Sequence, residues 1–181
     1  MSKGFLESLI LKFLRALFKA PSKTLRQPSA RYDYAAREAA DNATRILRAK
    51  NIDLRAGYFQ IHTLEPKVDF HGTLSFMAEF LRYKRNEYML VGFLVAGRLH
   101  EIWVTMGTKT KVTYDLVSVA ERAAEIGCTR IIFGHNHPSP FGALAASSED
   151  CQAKKDVTSR LGPLSIKFES YIFNRGYYVS Y

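Results

Sequence analysis

Cysteine is scarce in this chain of 181 residues, which carries only Cys128 and Cys151. The two form no C-x-x-C pair, which argues against both a disulfide scaffold and a zinc cluster built on thiolates. A chain with so few cysteines suits a reducing compartment, so we expect a cytoplasmic protein. Cys151 follows an acidic residue late in the chain, and we expect it to be a small buried apolar residue.

Long uncharged apolar runs are also lacking. No stretch approaches the roughly 20 apolar residues that a helix needs to cross a bilayer, and the first residues do not form a convincing signal peptide. Apolar side chains from Phe5 to Phe18 recur instead at three- and four-residue intervals. This spacing predicts an amphipathic helix over residues 1–20. Such a helix could lie on a membrane surface, bind a partner or a second copy of the chain, or pack on its own domain.

Acidic residues are few in the first third of the chain. Of the net charge of +9, residues 1–60 contribute +7, from 12 Lys and Arg against 5 Asp and Glu. The remaining residues carry 14 against 12, so their net charge is only +2. A basic segment favours polyanions such as nucleic acid or an anionic membrane surface. It is equally compatible with a solvated face.

The pattern of turn residues and apolar periodicity divides the chain into four parts. Residues 21–33 form a linker rich in Pro and Ser, and residues 34–73 form a helical and irregular extension with a helix over Tyr34–Lys50. Residues 74–181 form the main domain. Its order of strands and helices predicts a mixed α/β sheet with helices packed on it. The predicted elements of this domain are a helix at Leu74–Tyr83, a hairpin at Tyr88–Val95 and Leu99–Met106, a helix at Thr113–Ile126, a strand at Arg130–Phe133, a helix to about Leu161, and strands at Ser165–Phe173 and Tyr177–Tyr181.

Two histidines, His135 and His137, are separated by a single residue and follow shortly after the apolar strand that ends at Phe133. Ser147 and Asp150 follow after a loop. Imidazole and carboxylate are ligands for zinc, and three protein ligands leave the fourth position open, which is typical of a catalytic site. The sequence therefore predicts a catalytic metal site at the end of this strand.

A hydrolytic metal site also needs a carboxylate that takes a proton and is not itself a ligand. The sequence offers Glu79, Glu87, Glu101 and Glu149 for this role. Glu87 opens the first hairpin strand, at the kind of element end where active sites collect, but the residues alone leave all four open. Ser147 lies one helical turn before Asp150, so its hydroxyl could donate to a developing oxyanion.

At these positions the chain resembles a known family. The segments GHNHPS and SSED match the JAMM motif, E…H-x-H-x(7–10)-S-x-x-D, with nine residues between His137 and Ser147. The surrounding residues are similar to the RadC-like branch of the JAB/MPN superfamily. The similarity includes the run that starts at Glu87, the pair Gly107-Thr108 and the closing strand from Tyr177, and it covers about residues 75–181.

The resemblance implies a cytidine-deaminase-like α/β fold with a mixed β-sheet packed between helices, a bound Zn²⁺, and hydrolysis of an amide or isopeptide bond. It makes His135, His137 and Asp150 the metal ligands, Glu87 the general base and Ser147 the oxyanion helper. The chain departs from the family in the loop and near the end. Pro140 and Ala146 replace the usual glycine and proline, and Glu169-Ser170 replace an Asp-His pair.

Two functions follow from these expectations. The first is a zinc-dependent hydrolase that acts on peptide or isopeptide bonds of a protein or peptide substrate. The alternative is a non-proteolytic, nucleic-acid-associated binding protein that retains the metal site and uses basic residues of segment 1–60.

Overall fold

The structure is a computed structural model that describes residues 30–61, 68–138 and 144–181. The predicted amphipathic helix over 1–20 and the linker as far as residue 29 lie outside the described residues. The first described helix, α1 (Ala30–Ala49), begins three residues before the predicted end of the linker at residue 33.

Six strands form a single sheet within the described part of the chain. Their order across the sheet is β1-β3-β2-β4-β5-β6, and all neighbours are antiparallel except β4 and β5, which are parallel. The strands are β1 (Phe59–Ile61), β2 (Tyr88–Val95), β3 (Arg98–Met106), β4 (Arg130–Asn136), β5 (Lys167–Asn174) and β6 (Tyr177–Ser180).

Three helices follow α1, and a side-chain cap fixes where each of them begins. They are α2 (Phe70–Leu81), α3 (Leu116–Glu125) and α4 (Ser148–Leu161), the last followed by a short 3₁₀ turn at Gly162–Leu164. Asp69, Asp115 and Ser147 each accept a backbone N–H of the following turn. These caps satisfy amide groups that have no partner inside the helix. They place the starts of α2 and α3 at Phe70 and Leu116, whereas periodicity alone placed them at Leu74 and Thr113.

The helices cover both faces of the sheet. In β2, Leu90 and Leu94 pack in a core with α1 and α2, whereas Met89, Val91 and Phe93 pack on the opposite face with α3 and α4. Alternating side chains of a central strand thus serve two separate cores. The predicted mixed sheet packed between helices, with a helical N-terminal extension, is confirmed. None of the helices among residues 30–61, 68–138 and 144–181 is both long and apolar enough to cross a membrane.

Strand β4 sits near the middle of the sheet, between β2 and β5. Helix α4 forms the crossover to the parallel strand β5. Ile131 and Phe133 are buried against α3 and α4, so alternation directs His135 to that same face. The strand extends three residues beyond its predicted end at Phe133. The first histidine therefore lies in a strand and not in the loop that follows it.

Candidate metal centre

His135 is 3% exposed and is held by the centre of the sheet. It pairs with Met89 of β2 on one side and with Ile172 of β5 on the other. The preceding residue is Gly134, where a Cβ atom would come within 2.7 Å of a Phe173 ring carbon. Because the strand is flanked on both sides and closely packed above Gly134, the backbone that carries His135 is rigid.

Asp150 reaches the same place from the first turn of α4, where it forms a capping box with Ser147. The Ser147 Oγ accepts from the Asp150 N–H at 3.1 Å. In return, the Ser147 N–H and hydroxyl each donate to Asp150 Oδ2 at 2.8 Å. The box starts the helix and fixes the carboxylate, so that Oδ2 accepts the hydrogen bonds of the cap and Oδ1 is directed at His135.

Three ligand atoms of His135, His137 and Asp150 converge within 4.8 Å of one another. The two Nε2 atoms are 3.1 Å apart, His135 Nε2 lies 3.1 Å from Asp150 Oδ1, and His137 Nε2 lies 3.5 Å from Asp150 Oδ2. Two ligands of a tetrahedral zinc ion, each about 2.0–2.1 Å from the metal, are separated by roughly 3.3 Å. The donor set and its spacing therefore fit a divalent metal ion.

The charges in this group support binding of a cation. Burial raises the pKa of the Asp150 carboxyl, but hydrogen bonds from His135 and His137 outweigh burial and hold the pKa well below its ordinary value. Asp150 is thus an anion at neutral pH. The other ring nitrogen of His135, Nδ1, is buried with no hydrogen-bond partner among the described residues.

Glu87 lies just before β2, at the edge of the same cavity. Its N–H donates to the Thr108 carbonyl at 2.7 Å, and its carbonyl accepts from Gly107 at 2.8 Å. Burial raises the pKa of the Glu87 carboxyl, against the lowering effect of His135 and His137. A raised pKa makes this carboxylate a stronger base than an ordinary glutamate, which suits proton transfer beside a metal site.

The other three candidate bases occupy different environments. Glu79 forms an ion pair with Arg82, and Glu101 is buried and accepts from Arg122 at 2.7 Å. Glu149 lines the cavity but is exposed, and a hydrogen bond from its own backbone amide together with Ser148 lowers the pKa of its carboxyl. Of the four candidates, Glu87 is the one that lines the cavity and has a pKa raised by burial.

Asn136, which stands between the two histidines, was not among the predicted site residues. Its side chain is 2% exposed and faces away from the metal ligands. Its Oδ1 accepts from the Tyr88 N–H at 2.8 Å, and its Nδ2 donates to the Asn86 carbonyl at 2.9 Å. These two bonds hold the backbone on either side of Glu87. The only sequence signal for this role was its place inside the motif.

The ligands and Glu87 line a cavity of about 890 Å³. Lys109, Lys111 and Lys154 also line it, so part of the cavity wall is cationic. Lys154 donates to the main-chain oxygen of Tyr181, whose ring lies edge-on to His135 with the centroids 6.1 Å apart. The cavity is large enough to admit a segment of polypeptide beside the ligands.

Cys151 is exposed, so the prediction that it is a buried apolar residue is wrong. It directly follows Asp150 in the first turn of α4. Since Asp150 turns toward the strand, its neighbour turns to solvent. Cys128 is the buried one, and both cysteines are free.

Comparison with known proteins agrees with this geometry. The family model described as RadC-like JAB domain matches residues 69–181, well over half of the chain. The chain belongs to the RadC-like JAB domain family. Its sheet, flanking helices and His-His-Asp group are therefore those of a RadC-like JAB domain whose described residues contain a group able to bind a metal ion. No curated protein matches the chain significantly.

Proposed function

We propose that this RadC-like JAB domain is a zinc-dependent hydrolase of peptide or isopeptide bonds. The observation that carries the proposal is the convergence of two imidazole nitrogens and a carboxylate at zinc-like spacing, beside a Glu87 whose pKa is raised by burial. His135, His137 and Asp150 would hold the ion. A zinc ion with three protein ligands lowers the pKa of a water molecule and polarises a carbonyl group.

The residues of the chain supply the remaining chemistry. Glu87 is the proposed general base, which accepts a proton from water and returns it to the leaving amine. Ser147 is the proposed oxyanion donor. Its hydroxyl hydrogen points to Asp150 Oδ2 in the structure. To donate to a substrate oxygen, the hydroxyl must turn away from the carboxylate.

Zinc content of the purified protein is the first test. We expect about one equivalent in the wild type, because the three-ligand set defines one site, and none in His137→Ala. The matched control is His100→Ala, since His100 is exposed on β3 and is not part of the metal group. The proposed ligand set is wrong if zinc remains bound in His137→Ala, or if zinc is lost to the same extent in His100→Ala.

Cleavage is tested separately with a library of peptides and isopeptide-linked conjugates. Loss of a general base lowers the rate by about 10²–10⁴-fold, so Glu87→Gln should retain zinc and lose activity by that factor. A product that forms equally fast with Glu87→Gln would exclude Glu87 as the base.

The second candidate function is a non-proteolytic, nucleic-acid-associated protein that retains the metal. It is favoured by the exposed cations Arg45, Arg48, Lys50 and Arg55 at and beyond the end of α1. An anionic membrane surface is another possible partner of segment 1–60, and the helix predicted over 1–20 is a possible site of homo-oligomerisation. Unchanged biological function in Glu87→Gln, with salt-sensitive DNA binding that maps to residues 1–60, would favour this candidate.

The free cysteines support our proposal of a cytoplasmic location.

A further inference from the structure

A second groove of about 680 Å³ adjoins the metal centre on the side of His137. His137 and Pro138 line both this groove and the cavity of the metal centre, so the two spaces adjoin at these residues. One wall is the segment between α2 and β2, and the other is the turn between β5 and β6. We call it the basic groove, and its distinguishing residues are Tyr83, Arg82, Arg85, Asn174 and Arg175.

The charge of the basic groove contrasts with that of the domain around it. Residues 68–181 carry 13 Lys and Arg against 11 Asp and Glu, a net of +2. No acidic residue is among the described residues that line the groove. Lys84 also lines it, but its ammonium donates to Thr44 and lies 4.2 Å from the Phe80 ring centroid, toward α1. The charge of Arg82 is balanced by its ion pair with Glu79, so Arg85 and Arg175 give the groove its net positive charge.

A glycine lets Arg82 pack against the turn that carries Arg175. A Cβ atom on Gly176 would lie 2.5 Å from a terminal nitrogen of Arg82, so the guanidinium of one wall packs on the turn of the other. Arg82 is oriented by its ion pair with Glu79, and its Nε is buried with no hydrogen-bond partner among the described residues. Arg175 precedes the glycine at the tip of the turn and is exposed. Arg85, also exposed, completes the set.

We propose that the basic groove binds an acidic segment of the substrate polypeptide, adjacent to the bond that is cleaved. Guanidinium groups pair with carboxylates through two parallel hydrogen bonds, which gives both affinity and orientation. The inference rests on the proposed function. Because His137 lines the groove as well as the cavity of the metal centre, the residues next to the cleaved bond of a polypeptide substrate are the occupant that we propose.

Binding of defined peptides to the full-length, zinc-loaded protein tests this without any need for turnover. The probes are a fluorescein-labelled peptide with a run of glutamates and the same peptide with glutamines in their place, measured by anisotropy. We expect the glutamate peptide to bind more tightly. A hydrogen bond to a charged group contributes about 1.5–3 kcal/mol, so the double substitution Arg85→Glu, Arg175→Glu should weaken binding roughly tenfold or more.

The matched control is Arg37→Glu with Arg160→Glu, which makes the same change in net charge at two exposed helical positions that line neither the basic groove nor the cavity of the metal centre. We expect it to leave affinity for the glutamate peptide unchanged within about twofold. The milder pair Arg85→Gln, Arg175→Gln should give an intermediate loss, and unfolding temperatures of all variants check that they fold.

Three results would overturn the inference. They are equal binding of the two peptides, an equal loss of affinity in the control with Arg37→Glu and Arg160→Glu, and tighter binding of a single-stranded oligonucleotide through the same arginines. The last would make the groove a nucleic-acid site. If the wild type cleaves no substrate but still prefers the glutamate peptide, the proposed hydrolase activity is wrong and the inference about the groove stands. Failure of the proposed function and failure of this inference are therefore distinguishable.

Discussion

Glu87 is a carboxylate in a place that disfavours its charge. Burial raises its pKa, which means that the folded protein holds this proton at a pH where the unfolded chain has released it. The ionised group therefore lowers the stability of the folded state at neutral pH. Below the ordinary Glu pKa of about 4.3 the group is protonated in both states, and this cost disappears.

We predict that Glu87→Gln raises the unfolding temperature of the metal-free protein at pH 7, and that the gain shrinks toward zero as the pH falls below about 4. Thermal unfolding in the presence of a chelator, followed by circular dichroism across this pH range, measures it. Glu121→Gln, at an exposed position of α3, is the control and should give no such pH-dependent gain. A gain that is constant with pH would contradict the burial of the Glu87 charge.

Asn136 is hydrogen-bonded to the backbone on both sides of Glu87. The backbone N–H of Tyr88, which donates to Asn136, offers a test of this role. In Asn136→Ala the Tyr88 N–H loses its acceptor, so its hydrogen exchange should accelerate, with a loss of about 1–3 kcal/mol in unfolding free energy. Thr105→Val is the control, because it removes a different buried hydrogen bond, to the Leu54 carbonyl. If the Tyr88 amide hydrogen exchanges equally fast in both variants, Asn136 does not specifically stabilise this segment.

At the scale of elements, Gly107 directly follows β3 and is hydrogen-bonded to the segment that carries Glu87. A Cβ atom there would lie 2.0 Å from the Lys111 carbonyl oxygen and 2.6 Å from the Val112 Cα, both of them backbone atoms. A side chain therefore forces the turn after β3 to move. The same residue donates its N–H to the Glu87 carbonyl, so such a movement reaches the proposed base.

Gly107→Ala should consequently lower the free energy of unfolding by at least about 1–3 kcal/mol, as overpacking does in a closely packed site. Gly162→Ala is the matched control, because Gly162 has helical dihedral angles and nothing within 4 Å of an added Cβ. It should leave stability unchanged or slightly higher. Urea unfolding of the two variants compares them, and equal stabilities would show that the turn adapts.

Much of the secondary structure was predictable because apolar alternation and caps are local signals. The hairpin strands and the start of α4 after Ser147 agree with the sequence. Strand β4 was predicted too short, since the histidine after Phe133 and Gly134 appears polar although it continues the buried alternation. The three-residue strand β1 was missed because Phe59–Ile61 is too short to show a period.

The order of the strands in the sheet and the contacts in the site were harder to predict from the sequence. Nothing in the residues alone gives the order β1-β3-β2-β4-β5-β6, because pairing depends on contacts distant in the sequence. For the same reason, residue chemistry left four candidates for the base, and only the family resemblance singled out Glu87. The structure adds the physical distinction, which is that Glu101 is neutralised by Arg122 while Glu87 is not paired in that way.

For the molecule as a whole, zinc should act as a stabilising ligand, because the donor atoms come from a strand and a helix that separate on unfolding. A ligand at a hundredfold excess over its Kd adds about 2.7 kcal/mol to the unfolding free energy. We predict a rise in unfolding temperature with added zinc that is reversed by a chelator. His137→Ala should abolish the rise and His100→Ala should retain it. A rise that persists in His137→Ala would place zinc elsewhere.

The capping box at the start of α4 has a consequence for how metal occupancy could be observed. The Oδ2 atom of Asp150 accepts from the Ser147 amide at the start of the helix, while Oδ1 faces His135. A cation that draws electron density toward Oδ1 must weaken the hydrogen bond accepted by Oδ2. The amide resonance of Ser147 is thus a built-in reporter. Its chemical shift should follow metal titration even though this nitrogen is not a ligand.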